Sequence, residues 1–274
     1  MRHGGLTVRT TSLRLESDAK AMNTVKQCLI LAAGNGSRIA SVAGGVPKPL
    51  VPLCGAPLLA HVMMSGREAG IERFVIVAGY RADLIRRWLS ERSMSDISVT
   101  LIENREYHKA NGISALAARA ELNQPFLLLM SDHIFEPETA KSLLAHPLAA
   151  DEVILAVDSK IDRVFDLDDA TKVQRKRNYI VGIGKDLKNY DALDTGMFLC
   201  TPALFNYLEA ARKNGDCSLS DGMRKLAQDW KLRAFEIGDG NWQDVDSPQA
   251  LAHAEKTFNR EFSGNPAAEI LIHA

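Results

Sequence analysis

A chain of 274 residues, 46% hydrophobic and 24% charged, has the size and composition of one large α/β domain or one domain carrying an insertion. Its net charge of -1 excludes a global basic field for DNA or RNA, so a nucleotide would have to be met by a local cluster of Lys and Arg. No apolar run approaches the ~20 residues that span a membrane. The four cysteines (Cys28, Cys54, Cys200, Cys217) form no C-x-x-C pair and read as small hydrophobes in a reduced, cytoplasmic compartment.

In chain order, residues 1–24 are mixed and polar without an apolar signal core, and are expected to be a disordered leader. Residues 25–31 form a short apolar run ending in glycines, as a buried parallel strand does. A helix is expected over 57–69, a strand over 74–79, a helix over 82–90 and a strand over 99–102. An Ala-rich helix over 112–122 then leads to a strand over 126–130. This alternation argues for a mostly parallel sheet with helices on both faces. Beyond the strand at 153–157 the character changes. A polar stretch, 158–170, precedes a hairpin (171–175 and 179–183) turning at Lys176-Arg177-Asn178. A strand over 197–200, a helix over 202–212 capped by Thr201, a helix over 219–229 and a strand over 232–237 follow. Ser247-Pro248 opens a last helix, and 263–274 read as a tail.

Chemistry concentrates at three places. The first strand runs into Leu31-Ala32-Ala33-Gly34-Asn35-Gly36-Ser37-Arg38, followed by Pro47-Lys48. Glycines let backbone N–H groups turn towards an anion, and Arg38 and Lys48 would put two cations over one polyphosphate. By itself such a loop is also a plain strand-to-helix turn. Asp132 ends the strand at 126–130, where an open parallel sheet binds its ligands. The third place is Trp242-Gln243-Asp244-Val245-Asp246-Ser247-Pro248, whose alternation puts Asp244 and Asp246 on one side of an extended segment. Asp132 and Asp246 are hard oxygen donors suited to Mg²⁺, although Asp246 is equally placed to cap the last helix. His133 reads as a positioned neighbour rather than a ligand, since no second His has ligand spacing to it.

In this order the motifs resemble the sugar-phosphate nucleotidylyltransferase superfamily over roughly residues 26–258. Met130-Ser131-Asp132-His133-Ile134-Phe135-Glu136, Asp168-Asp169-Ala170-Thr171-Lys172-Val173, Ile183-Gly184-Lys185-Asp186-Leu187-Lys188 and Leu193-Asp194-Thr195-Gly196 are further similar to the CTP:inositol-1-phosphate cytidylyltransferases. The resemblance implies a Rossmann-like α/β domain over 25–262, with a mixed, mostly parallel sheet and a β-hairpin acceptor-binding insertion at about 158–195. It implies nucleotide binding by Leu31, Ala32, Ala33, Gly34, Gly36, Ser37, Arg38, Lys48, Glu103, Asn111 and Gly112. It also implies acceptor binding by Lys172, Lys185, Asp194, Thr195 and Gly196, Mg²⁺ on Asp132 and Asp246, and catalysis through Lys48, Arg38 and Asp132.

The substrates expected from the resemblance are CTP, or another NTP, and a small phosphorylated alcohol. Inositol 1-phosphate leads, with phosphocholine, 2-aminoethylphosphonate or a sugar 1-phosphate as alternatives. Neither a nucleic-acid partner nor membrane insertion is expected. The enzyme would supply a separately encoded, membrane-bound CDP-alcohol phosphotransferase. Two readings of other classes stand beside it. A nicotinamide-dependent dehydrogenase shares the strand–Gly-loop–helix opening but would need a small residue at Ile39. A non-catalytic nucleotide-binding regulatory module would have no need of paired metal carboxylates.

Overall fold

The computed structural model describes residues 25–262 apart from residue 93; the expected leader (1–24) and tail (263–274) lie outside the described residues. From the N-terminal side come β1 (Gln27–Ala32), the short pair β2 (Pro52–Leu53) and β3 (Ala56–Pro57), α1 (Leu58–Glu68), β4 (Arg73–Ala78), α2 (Ala82–Ser90) and β5 (Ser98–Glu103). Next are α3 (Asn111–Ala117), β6 (Phe126–Met130), β7 (His133–Phe135), α4 (Pro137–Leu144) and β8 (Val153–Asp158). The hairpin β9 (Lys172–Lys176) and β10 (Tyr179–Gly184), then β11 (Ala192–Cys200), α5 (Ala203–Ala211) and α6 (Leu219–Gln228), lead to β12 (Leu232–Glu236), β13 (Trp242–Asp244) and α7 (Pro248–Phe262).

Nine strands form one sheet in the order β5-β4-β1-β6-β11-β8-β12-β10-β9. The β5-β4-β1-β6 half is parallel; β11 enters antiparallel between β6 and β8, and β12 runs parallel to β8. Strand side chains alternate between two cores. Cys28, Ile30 and Ala32 of β1 pack with Leu59, Met63, Ala140, Leu143 and Phe258 on the face covered by α1, α2, α4 and α7. Leu29 and Leu31 join Ile113, Phe205, Leu208 and Met223 on the face covered by α3, α5 and α6. Burial on both faces is why these strands read as unbroken apolar runs.

Three local differences from the sequence reading stand out. The helix expected over 112–122 ends at Ala117, and a 3-10 turn (Arg119–Glu121) delivers Leu122 into the core. Thr201 does not cap α5; its Oγ1 donates to the Glu152 carbonyl at 3.0 Å, tying the end of β11 to the start of β8. β11 begins five residues earlier than the apolar run at 197–200 suggested. Ala192 and Leu193 pair with β9, and the strand breaks register against β8 between Asp194 and Phe198. The hairpin continues the sheet, β10 pairing with β12 and β9 with β11, and the polar Asp194 and Thr195 hid this part of the strand from periodicity.

Candidate active site

Two acidic segments more than one hundred residues apart meet through a two-stranded sheet. β13 lies antiparallel to β7 with Asp244 opposite His133, and Val245 N–H donates to the Asp132 carbonyl at 2.9 Å. Ser247 Oγ accepts from Ala250 N–H at 3.1 Å, so Ser247 caps α7 and leaves Asp246 free. Asp132 and Asp246 then converge on Lys48. Its ammonium, with the residue 7% exposed, contacts Asp132 Oδ2 at 2.5 Å and Asp246 Oδ1, with Asp244 Oδ1 at 3.9 Å.

The Gly-rich loop holds Lys48 in place. Gly36 has φ +60°, and a Cβ there would lie 2.6 Å from Lys48 Cβ. Gly36→Ala is therefore expected to be destabilised by about 1–3 kcal/mol and to lose nucleotide affinity. At Gly34 an added Cβ meets nothing within 4 Å, so Gly34→Ala should keep its melting temperature. Equal melting temperatures for the two variants would refute the packing argument. Arg38 reaches Asp246 and, at 2.6 Å, Asp169 Oδ2.

Around Asp132 the electrostatics favour the ionised form. Burial opposes it, but Lys48 and His133 hold the carboxyl well below the usual carboxylate range. Against the same opposing effect of burial, Asp244 and Asp132 push the His133 imidazole up to about 9, so it is a cation at neutral pH. Its Nδ1 bonds Asp132 Oδ1 at 3.0 Å and its ring stacks on Trp242. His133 is thus a positioned neighbour. Asp194, half-buried at the register break in β11, is raised to about 6 by loss of hydration and accepts from Gly196 N–H at 2.8 Å.

The donor set fits a hard divalent cation. Asp169, Asp244 and Asp246 each bring an oxygen within 4.8 Å of the others, and Asp132 and Asp244 approach equally closely around His133, whose imidazolium is no ligand. Asp244 Oδ1 is buried without a hydrogen-bond partner, an orphaned oxygen that a cation would satisfy.

Beside this cluster lies a cleft of about 330 Å³, lined among others by Asn111, Asp132, Lys185, Asp194, Trp242 and Asp246. Not every expected site residue reaches it. Leu31, Ala32 and Ala33 are buried at the end of β1, with the Ala33 carbonyl accepting from Tyr80 N–H. Asn111 lines the cleft and accepts from Leu219 N–H at 2.8 Å; Gly112 packs against Cys217. Glu103, on the edge strand, pairs with Arg86 at 3.0 Å outside the cleft. Lys185 and Gly196 line the cleft, whereas Lys172 is buried with its ammonium on the Asp168 carbonyl at 2.9 Å. Thr195 is fully buried and its hydroxyl donates to the Ala156 carbonyl at 2.8 Å, a bond within the sheet.

The sequence reading assigned no role to Asp244 or Asp169. The alternation in Trp242–Asp246 was a usable signal for the first. Asp169 lies in the Asp168–Val173 stretch that carries the resemblance, but nothing local gives it a role, because its partner Arg38 is 131 residues away.

The profile of the MobA-like NTP transferase domain matches residues 28–230. The chain belongs to that family. Membership removes the dehydrogenase alternative, and it agrees with the missing small residue after the Gly loop. Among curated relatives, the "bifunctional IPC transferase and DIPP synthase" of Rubrobacter xylanophilus is 34% identical over 83% of this chain and 50% of its own length. The protein of the same name from Thermococcus kodakarensis is 32% identical over 86% of this chain and 51% of its own. The chain therefore spans about half the length of these relatives. A solved inositol-1-phosphate CTP transferase from T. maritima superposes with a TM-score of 0.77 at 28% identity, covering 88% of this chain and 97% of that one. A UDP-glucose pyrophosphorylase bound to UDP-glucose, at 19% identity and a TM-score of 0.73, shares the fold. Among the described residues, no helix of this NTP transferase is long and apolar enough to cross a membrane.

Proposed function

We propose that this chain transfers CMP from CTP to a phosphorylated alcohol, with inositol 1-phosphate as acceptor, and releases pyrophosphate. The observation carrying this reading is the convergence of Lys48, beside a Gly-rich loop, on Asp132 and Asp246, two carboxylates that line one cleft with Lys185 and Asp194. The names of the relatives supply the base and the alcohol.

The acceptor's phosphate monoester is already ionised at neutral pH, so no strong base is needed. One of its oxygens attacks the α-phosphorus of CTP in line. The Pα–O bond to the β-phosphate breaks, and pyrophosphate leaves with the electron pair. The difficulty is bringing two anions together. Lys48 faces the α-phosphate, Arg38 and the loop N–H groups take the rest of the triphosphate, and Lys185 takes the acceptor phosphate. Asp194 accepts hydrogen bonds from acceptor hydroxyls. Mg²⁺, held by Asp132 and Asp246 with Asp244 beside them, would supply Lewis-acid neutralisation of phosphate charge. Catalysis here is positioning plus preorganised charge. The CDP-alcohol formed would be consumed by a membrane-bound CDP-alcohol phosphotransferase.

The test is pyrophosphate release by purified protein with Mg²⁺, crossing the four NTPs against inositol 1-phosphate, phosphocholine, 2-aminoethylphosphonate and glucose 1-phosphate. Release confined to CTP with inositol 1-phosphate is expected. Release with another pair would replace the substrates and keep the mechanism. A folded sample silent across the grid would favour a non-catalytic, nucleotide-binding module.

A further inference from the structure

Arg38 and Lys185 serve different substrates in the proposed reaction, yet both end on one side chain. Arg38 donates to Asp169 Oδ2 at 2.6 Å, and Lys185 Nζ donates to Asp169 Oδ1. Among the described residues Asp169 is the acidic partner of Lys185. It comes from the segment between β8 and β9, several of whose residues line the cleft, and it reaches Arg38 of the Gly-rich loop. Burial opposes ionisation of Asp169, but Lys185 and Arg38 overcome it and hold its carboxyl below the ordinary value. The two oxygens of a carboxylate are rigidly joined. In this arrangement Asp169 holds Lys185 while also standing beside Arg38, where a triphosphate would have to lie.

We infer that Asp169 is a positioning residue that couples the two substrate sites, an internal anion on both phosphate-facing cations whose eviction by one substrate frees the cation of the other. The inference rests on the proposed function, which makes Arg38 the triphosphate cation and Lys185 the acceptor-phosphate cation. A triphosphate outcompetes a single carboxylate for Arg38 because it brings several charges to Lys48 and the loop N–H groups as well. Lys185 is then uncovered for a monoester that has only one phosphate to offer. By linkage the effect is mutual: acceptor that removes Asp169 from Lys185 tightens nucleotide binding by the same factor.

The test is calorimetric titration with α,β-methylene-CTP, which cannot release pyrophosphate, in the absence and presence of inositol 1-phosphate. Three proteins are compared: wild type, Asp169→Asn and Asp162→Asn. The last removes the same charge from an exposed position on the same segment. Asp169→Asn is expected to bind the analogue alone about three- to fivefold more tightly than wild type, the range of one part-exposed ion pair. The tightening that inositol 1-phosphate gives wild type should shrink by that factor in Asp169→Asn and persist in Asp162→Asn. Equal or weaker binding by Asp169→Asn, including the loss expected if Asp169 held a metal ion, would overturn the inference. So would an identical gain in Asp162→Asn, which would reduce the effect to general charge. Inorganic tripolyphosphate, titrated in parallel, carries the same charge without a base. A wild type that binds it but not the analogue would count against the proposed substrates, while the tripolyphosphate affinities still judge Asp169 by the same comparison.

Discussion

Replacing Lys48 with alanine is expected to lower kcat by roughly 10²–10³, the effect of removing one preorganised charge from a transition state, about 3–4 kcal/mol. The side chain is 7% exposed and its ammonium lies between Asp132 and Asp246 with Asp244 nearby. Among the described residues, the cations nearest to it are already paired: Arg38 with Asp246 and Asp169, and His133 with Asp132. The same variant should show a second effect that turnover alone would miss. Without Lys48 three carboxylates face one another, so in EDTA the melting temperature should fall by roughly 5 °C, as when a buried ion pair loses one partner. Magnesium should restore most of that loss by binding the folded state. Stopped-flow or coupled pyrophosphate assays give the first number and thermal denaturation with and without Mg²⁺ the second. Turnover within about tenfold of wild type would remove Lys48 from the reacting centre.

Asp132→Asn should have an effect of similar size by a different route. Asparagine keeps the shape at the end of β6 and removes the charge. The ion pair with Lys48 at 2.5 Å is lost, the bond from the His133 cation at 3.0 Å loses its charge, and one of the anionic donors near the orphaned Asp244 oxygen goes. Turnover should fall by about 10² or more, and the Mg²⁺ concentration giving half-maximal rate should rise at least ~10-fold. Magnesium should then protect this variant against heat less than it protects wild type. That outcome is opposite in sense to Lys48→Ala, where magnesium compensates. A wild-type Mg²⁺ dependence in Asp132→Asn would exclude Asp132 as a ligand, whatever the rate.

How much of this was legible in the chain depends on the distance over which each feature is specified. Phe126–Met130 was read to the residue, because a strand buried on both faces needs an unbroken apolar run and its boundaries are polar. The hairpin around Lys176-Arg177-Asn178 was legible from local turn chemistry, and Lys176 and Tyr179 close it as a pair. By contrast β7, β13 and α4 were not separated from the motifs around them. Three-residue strands carry no usable period, and they exist because each finds the other across the fold.

Within the site the division follows the same line. Gly34–Arg38, Lys48 and Asp132 announce themselves because backbone freedom, fixed cations and a strand-end carboxylate are properties of residue type at a position. Lys172 and Thr195 carried an equally suggestive pattern. Nothing local distinguishes a lysine bonded to the Asp168 carbonyl, or a threonine bonded to the Ala156 carbonyl, from one facing substrate.

The sequence by itself determined the α/β layering, the Gly-rich loop with its Pro-Lys follower, and the two acidic segments, since all depend on hydrophobic period and short-range chemistry. Only the tertiary structure decided that Asp244 joins Asp132 and Asp246, that Ser247 rather than Asp246 caps α7, and that Asp169 ties Arg38 to Lys185. The first depends on the β7–β13 ladder and the last on the Arg38–Asp169 bond, pairings over separations of 100 residues and more, whereas the cap is settled by which side chain meets the Ala250 N–H three residues on.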